Sequence, residues 1–155
     1  SLDISKALGL KQVSANQYSG LRLVYWIRRE LDKAEEMHHK ALELNKALGS
    51  KQGMAENYAN LGLVYDTLGD LDKAEEMHRK ALELDKALGS KQGMAEDYGN
   101  LGDVYEKRGD LDNAKELWKK SLRLYQKMGV GQHPHAKRVQ QQLDELAKQR
   151  SATAQ

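Results

Sequence analysis

Glu35-x-x-His38 and Glu75-x-x-His78 are the residues of this sequence whose types and spacing come closest to chemistry. Three residues apart on a helix, a carboxylate and an imidazole share one face, and that spacing ligates metal in di-metal carboxylate bundles. A third occurrence of the same segment carries Trp118 in place of the histidine. The position therefore calls for a large packing side chain, and packing is the reading taken for His38 and His78. His133-Pro-His135 offers two more imidazoles, but two surface histidines ahead of a helix need no metal to explain them. Metal catalysis also requires converging ligands and an open position, which nothing in the sequence supplies. No nucleophile motif, phosphate loop or dinucleotide fingerprint occurs. With no Cys, disulfides, thiolate catalysis and Cys-based zinc sites are excluded. The expectation is no catalytic residue, no metal and no cofactor.

Partners are bounded in the same way. Net charge is +2, from 25 basic and 23 acidic residues, which gives no electrostatic footprint for nucleic acid. "KKSLRLYQK" is basic but reads as a solvated face. Tyr58, Tyr65, Tyr98 and Tyr105 recur at helical spacing and read as core, not as stacking platforms for bases. No apolar run reaches the length that spans a bilayer, and no signal peptide is visible, so a cytoplasmic protein without a membrane role is expected. The chain opens "SLDISKALGLKQ" without Met, which reads as a cut into a longer protein.

The elements that would carry these side chains are set by an internal repeat of 40 residues. Across 31–56 and 71–96 only two of 26 positions differ, His39/Arg79 and Asn45/Asp85. The copy from Leu111 has drifted further, and "SLDISKALGLKQ" matches the second half of a unit. Each unit reads as two helices. The first, from about Met54 to Leu68, aligns Tyr58, Leu61, Val64 and Tyr65; the second, Leu71 to Leu88, aligns Ala74, Met77, His78, Ala81, Leu84 and Leu88. Gly69 suits a left-handed helix end and Asp70 an N-cap. "GSKQG" reads as a loop into the next unit. The boundaries expected are 1–13 (a half-repeat), repeats at 14–53, 54–93 and 94–133, a capping helix at 134–150, and a disordered tail at 151–155. The last helix has Pro134 in its first turn and one narrow apolar stripe of Val139, Leu143 and Leu146, as a terminal cap facing water should.

Tyr58, Leu61-Gly62, Tyr65, Gly69-Asp70, Ala74, His78 and Ala81 recur as Tyr98, Leu101-Gly102, Tyr105, Gly109-Asp110, Ala114, Trp118 and Ser121. This pattern resembles the tetratricopeptide repeat family, in the longer variety found in kinesin light chains and Pins-type polarity adaptors. The family proline after the second helix is absent, which the "GSKQG" loop would explain. The resemblance implies an all-α solenoid of antiparallel helix pairs whose first helices line a concave, peptide-binding groove. On that geometry the floor comes from Asn16, Ser19, Leu23 and Trp26, then Glu56, Ala59, Asn60, Leu63 and Asp66, then Glu96, Gly99, Asn100, Asp103 and Glu106. The family's lysine-bearing position is Ser19, Ala59 or Gly99 here, so a clamp for a peptide carboxylate is missing. Asn60 and Asn100 are placed to hydrogen-bond an extended peptide, and the acidic residues favour a basic or neutral one. The partner expected is a protein or peptide.

Repeat 1 departs from its copies at three places: Arg22 replaces Gly62 and Gly102, Arg29 replaces Gly69 and Gly109, and Glu30 replaces Asp70 and Asp110. A left-handed Arg costs roughly 1–2 kcal/mol, and a poorer N-cap costs about 1 kcal/mol more. In a helix interior both residues are favoured over Gly. Arg22 would overpack the approach to Ala34 unless its head escapes to water. Two arrangements stay open: a strained hairpin, or a single helix over 14–48, roughly 50 Å long at ~1.5 Å per residue. The single helix would uncover its apolar faces and favour a domain-swapped homodimer.

Overall fold

The computed structural model describes residues 27–154, and every element among them is a helix or a turn. Residues as far as Glu36 group apart from a second compact unit, Met37–Gln155. Helix α1 covers 27–48; α2 is Lys51–Leu68, α3 Leu71–Leu88, α4 Lys91–Lys107, α5 Leu111–Lys127 and α6 Pro134–Thr153.

Within the second unit, the forty-residue period is filled by two 18-residue helices, α2 and α3, with a two-residue turn after each. Each turn is built alike. Gly69 takes φ 81°, and Gly69 and Asp70 donate their N–H groups to the carbonyls of Asp66 and Tyr65. Asp70 then caps α3 by accepting from Lys73 N–H at 3.2 Å. Gly109 and Asp110 repeat this, with Asn113 N–H as the donor.

The expected "GSKQG" loop is not a loop. Ser50 and Ser90 are N-caps whose hydroxyls accept from Gly53 and Gly93 N–H, so the following helices start at Lys51 and Lys91. The extra residues of the long repeat lengthen the first helix instead of the connection. At the other end, α6 continues to Thr153, beyond 150 and into the segment expected as tail. Thr153 Oγ1 donates back to the Gln149 and Arg150 carbonyls there.

In α1, Arg29 and Glu30 lie inside the helix, and no residue other than Gly has a positive φ among the described residues. The turn that Gly69-Asp70 and Gly109-Asp110 make has no counterpart at 29–30. Arg28 pairs with Asp32 at 3.4 Å and Lys33 with Glu30 at 3.4 Å, the i,i+4 and i,i+3 bridges of a continuing helix. Residues 14–26 of the expected 14–48 helix, with Arg22, lie outside the described residues, as does the half-repeat at 1–13.

The core of the second unit is layered. Leu42, Leu61, Tyr65, Ala74 and Val104 form one cluster; Ala114, Trp118, Val139 and Leu146 form another. In the second cluster α6 supplies Val139 and Leu146, with Leu143 packed alongside, which is how the stripe of the cap is spent. The helix glycines admit large neighbours. A Cβ on Gly62 would come within 2.5 Å of the His78 ring, and one on Gly102 would overlap Trp118. The close partner of this glycine is therefore the residue at the His78 position, not the alanine one turn earlier.

α2 touches α4, and α4 touches α6, while α3 and α5 do not touch each other. Helices α2, α4 and α6 thus form one contiguous layer.

Candidate peptide-binding groove

The candidate groove residues lie on α2 and α4, with α6 beside α4. Asn60 is exposed and Asn100 half-buried, at equivalent places one repeat apart. Neither side chain makes a hydrogen bond among the described residues. Leu63 is 46% exposed, a single apolar surface between them. Asn16, Leu23 and Trp26, expected in the same groove, lie outside the described residues.

Asp66 and Asp103, two of the acidic candidates, are engaged by the fold itself. Lys107 Nζ sits 2.9 Å from Asp66 Oδ2. Asp103 Oδ1 accepts from Trp118 Nε1 at 3.0 Å, and its Oδ2 accepts from Arg138 at 2.6 Å. Arg138 comes from α6, so this ion pair ties the last helix to α4. Glu106 is exposed, and burial followed by the neighbouring charges of Asp103 and Glu145 raises its pKa.

The Glu-x-x-His pair does not converge. His78 is 1% exposed against Gly62, and neither ring nitrogen has a partner. Burial lowers its pKa to about 4, against a smaller opposing pull from Asp66. Glu75 points elsewhere: it accepts from the Tyr105 hydroxyl at 2.7 Å and from Arg108 at 3.3 Å. Its pKa is lowered because the Tyr105 hydroxyl and the charges of Arg79 and Arg108 outweigh burial. Trp118 fills the same place as His78 in the next pair, fully buried. His133 and His135 stack at 5.5 Å, and His133 stacks on Tyr125. No cluster of three or more His, Asp or Glu side chains suited to a metal occurs among the described residues.

Sequence reasoning missed the floor between α2 and α4. Asn45 Nδ2 donates to Asn57 Oδ1 at 2.6 Å, joining α1 to α2. Forty residues on, both positions are acids, Asp85 and Asp97. The Asn45/Asp85 exchange stood in the alignment of 31–56 with 71–96, but Asn57/Asp97 lies one position beyond it, and nothing in the sequence said that residues twelve apart would meet.

A tetratricopeptide repeat model matches residues 15–87, and a second tetratricopeptide repeat model matches residues 95–127. The chain belongs to the tetratricopeptide repeat family. A comparison with curated proteins finds no match. Among solved structures it resembles BtubC (BKLC) from P. vanneervenii, at 23% identity and a TM-score of 0.64. That likeness covers 71% of this chain and 45% of BtubC, so the chain spans less than half of that protein's length. The N-terminal domain of stress-induced protein-1 (STI-1) from C. elegans matches at 15% identity and a TM-score of 0.48, over 72% of this chain and 95% of that domain. MamA matches at 19% and 0.40, over 76% and 81%. At these identities the likeness concerns fold. Tetratricopeptide repeats are typically non-catalytic scaffolds that mediate binding between proteins, and this chain carries a general protein–protein interaction scaffold. No helix among the described residues is long and apolar enough to cross a membrane.

Proposed function

We propose that the candidate groove on α2 and α4 holds an extended peptide segment of a protein partner. The observation that carries this reading is the pair Asn60 and Asn100. They stand on adjacent first helices, forty residues apart, with amides that the fold does not use, whereas Asp66 and Asp103 are committed to Lys107, Trp118 and Arg138. An amide both donates and accepts, so two of them in register can clasp a peptide backbone without demanding a sequence. The test is selection of binders from a random peptide library, followed by affinity measurements on Asn60→Ala and Asn100→Ala. Each loss is expected to weaken binding about fivefold or more, the worth of a typical hydrogen bond. Selected peptides that bind both variants as well as the parent would sink the reading.

A second reading rests on α1. Met37 and Leu44 are 69% and 66% exposed, while their copies Met77 and Leu84 are half-buried; Leu48 and its copy Leu88 are both exposed. In α3 that face is covered by α2, a first helix of the same repeat. The occupant that fits the α1 face is the first helix of repeat 1 from a second copy of this chain, exchanged because Arg29 and Glu30 make helix where a turn would return the chain. Light scattering after size exclusion, on this chain and on Arg22→Gly/Arg29→Gly, tests it. Mass should rise with concentration in the parent and fall in the variant. A parent that stays monomeric through the micromolar range contradicts the exchange.

A further inference from the structure

Between α2 and α4 lies a cavity of about 280 Å³, open on one side, with Gln52 and Glu56 on one wall and Gln92 and Glu96 on the other. Asp85 and Asp97 form its floor. No basic residue lines it. Gly93 leaves room for the Asp85 carboxyl, which a Cβ there would overlap, just as Gly53 leaves room for Asn45 in the preceding pair.

The two floors differ in one chemical respect. Asn45 and Asn57 satisfy each other, because an amide brings its own donor. Asp85 and Asp97 are both acceptors and can meet in a hydrogen bond only by sharing a proton. Asp97 is 1% exposed, and its buried Oδ2 finds no N–H or O–H donor. The groups around it are Asp85 of α3, Glu96 of its own helix and the Tyr125 phenol of α5, with Glu56 of α2 on the same cavity; the cation on the adjoining α6, Arg138, acts on Tyr125 and is paired with Asp103. Burial, the Asp85 contact and the charges of Asp85 and Glu96 together hold the Asp97 carboxyl well above the usual range, so it keeps its proton at neutral pH. An acceptor floor of this kind is built for a positive donor, and an arginine fork or a lysine ammonium brings several donors at once.

We propose that this cavity is a subsite for a basic side chain of the bound peptide, whose cationic head lodges against the Asp85 and Asp97 carboxyls. On entry the O–H bond of the dyad breaks and the proton passes to solvent. Both carboxylates then face the cation, and one positive charge has replaced another. The sister floor, Asn45 and Asn57, is neutral and already satisfied, so the basic side chain has one place to lodge and fixes the peptide's register. Because the proton must leave, affinity for the cation rises with pH from 6 to 9.

This inference rests on the groove being a peptide site, and the experiment separates the two. N-acetyl-arginine amide and its uncharged citrulline analogue are titrated into isotope-labelled chain, followed by amide shifts, at pH 6 and pH 9. The arginine probe is expected to saturate shifts at Gly93, Glu96 and Asp97, more tightly at pH 9, and the citrulline probe to leave them unmoved. Asp85→Asn/Asp97→Asn rebuilds the floor found at Asn45 and Asn57, so it retains the fold, and it should weaken the arginine probe at least about tenfold. Shifts scattered over the surface, or equal affinity in the double variant, overturn the proposal. If the arginine probe fills the cavity while library-selected peptides ignore Asn60 and Asn100, the subsite stands and the peptide reading falls. If the peptides need both asparagines but the probe misses the cavity, the subsite alone falls.

Discussion

His78 should cost the protein stability in mild acid. The imidazole is 1% exposed, without a partner on either nitrogen, and burial takes its pKa from 6.5 to about 4. In the unfolded chain the ring titrates at its ordinary value, so below pH 6.5 the unfolded state binds a proton that the native state refuses. The effect is absent above pH 6.5, grows as pH falls toward 4, and is constant below that. One pKa unit is worth about 1.4 kcal/mol, so a fall from pH 7 to pH 5 removes about 2 kcal/mol through this ring. Asp97 acts in the opposite sense: its raised pKa makes protonation favour the native state as pH falls through the same window. The total pH profile therefore mixes two contributions, and the informative quantity is a difference. Urea denaturation of the parent and of His78→Leu, each at pH 7 and pH 5, cancels Asp97, which both chains carry. The variant should gain about 2 kcal/mol relative to the parent on going to pH 5. A gap that does not change between the two pH values would refute the claim that a neutral imidazole is buried there.

Other substitutions probe the junctions. Gly102→Ala places a methyl group into the fully buried Trp118 ring; overpacking at ~1–3 kcal/mol should exceed the helix gain of about 1 kcal/mol, giving a lower denaturation midpoint. Ser90→Ala removes the hydroxyl that accepts from Gly93 N–H at 3.1 Å and should cost about 1 kcal/mol, read from thermal melts. Moving the junction of repeat 1 into the next pair, Gly69→Arg with Asp70→Glu, should cost roughly 2–3 kcal/mol in urea, the sum of left-handed strain and a weaker cap.

The helix pairs were legible because their signals are local. Gly69-Asp70 and Gly109-Asp110 carry their own turn chemistry, and Arg29-Glu30 lacks it; residue types left a strained hairpin and a continuous helix both open, and residues 29–30 are helical. "GSKQG" misled because Gly53 and Gly93 look like loop residues. They are helical, and they are glycine because the side chains of Asn45 and Asp85 press against them. Ser50 and Ser90 were the missed start signal, a hydroxyl three residues ahead of the N–H it caps. The site was less legible for a physical reason. Asp66 and Asp103 stood out as free groove acids, but their partners Lys107 and Arg138 come from helices 41 and 35 residues away. The Asp85–Asp97 floor depends on the same kind of contact between helices, which a repeat alignment counts but does not place.

The central claim is that α2 and α4, not α3 and α5, present the binding face. A crystal structure of the chain with a library-selected peptide tests it most directly. The peptide is expected to run extended along α2 and α4, hydrogen-bonded to Asn60 and Asn100. A peptide seated on α3 and α5, with both asparagines untouched, would contradict the account.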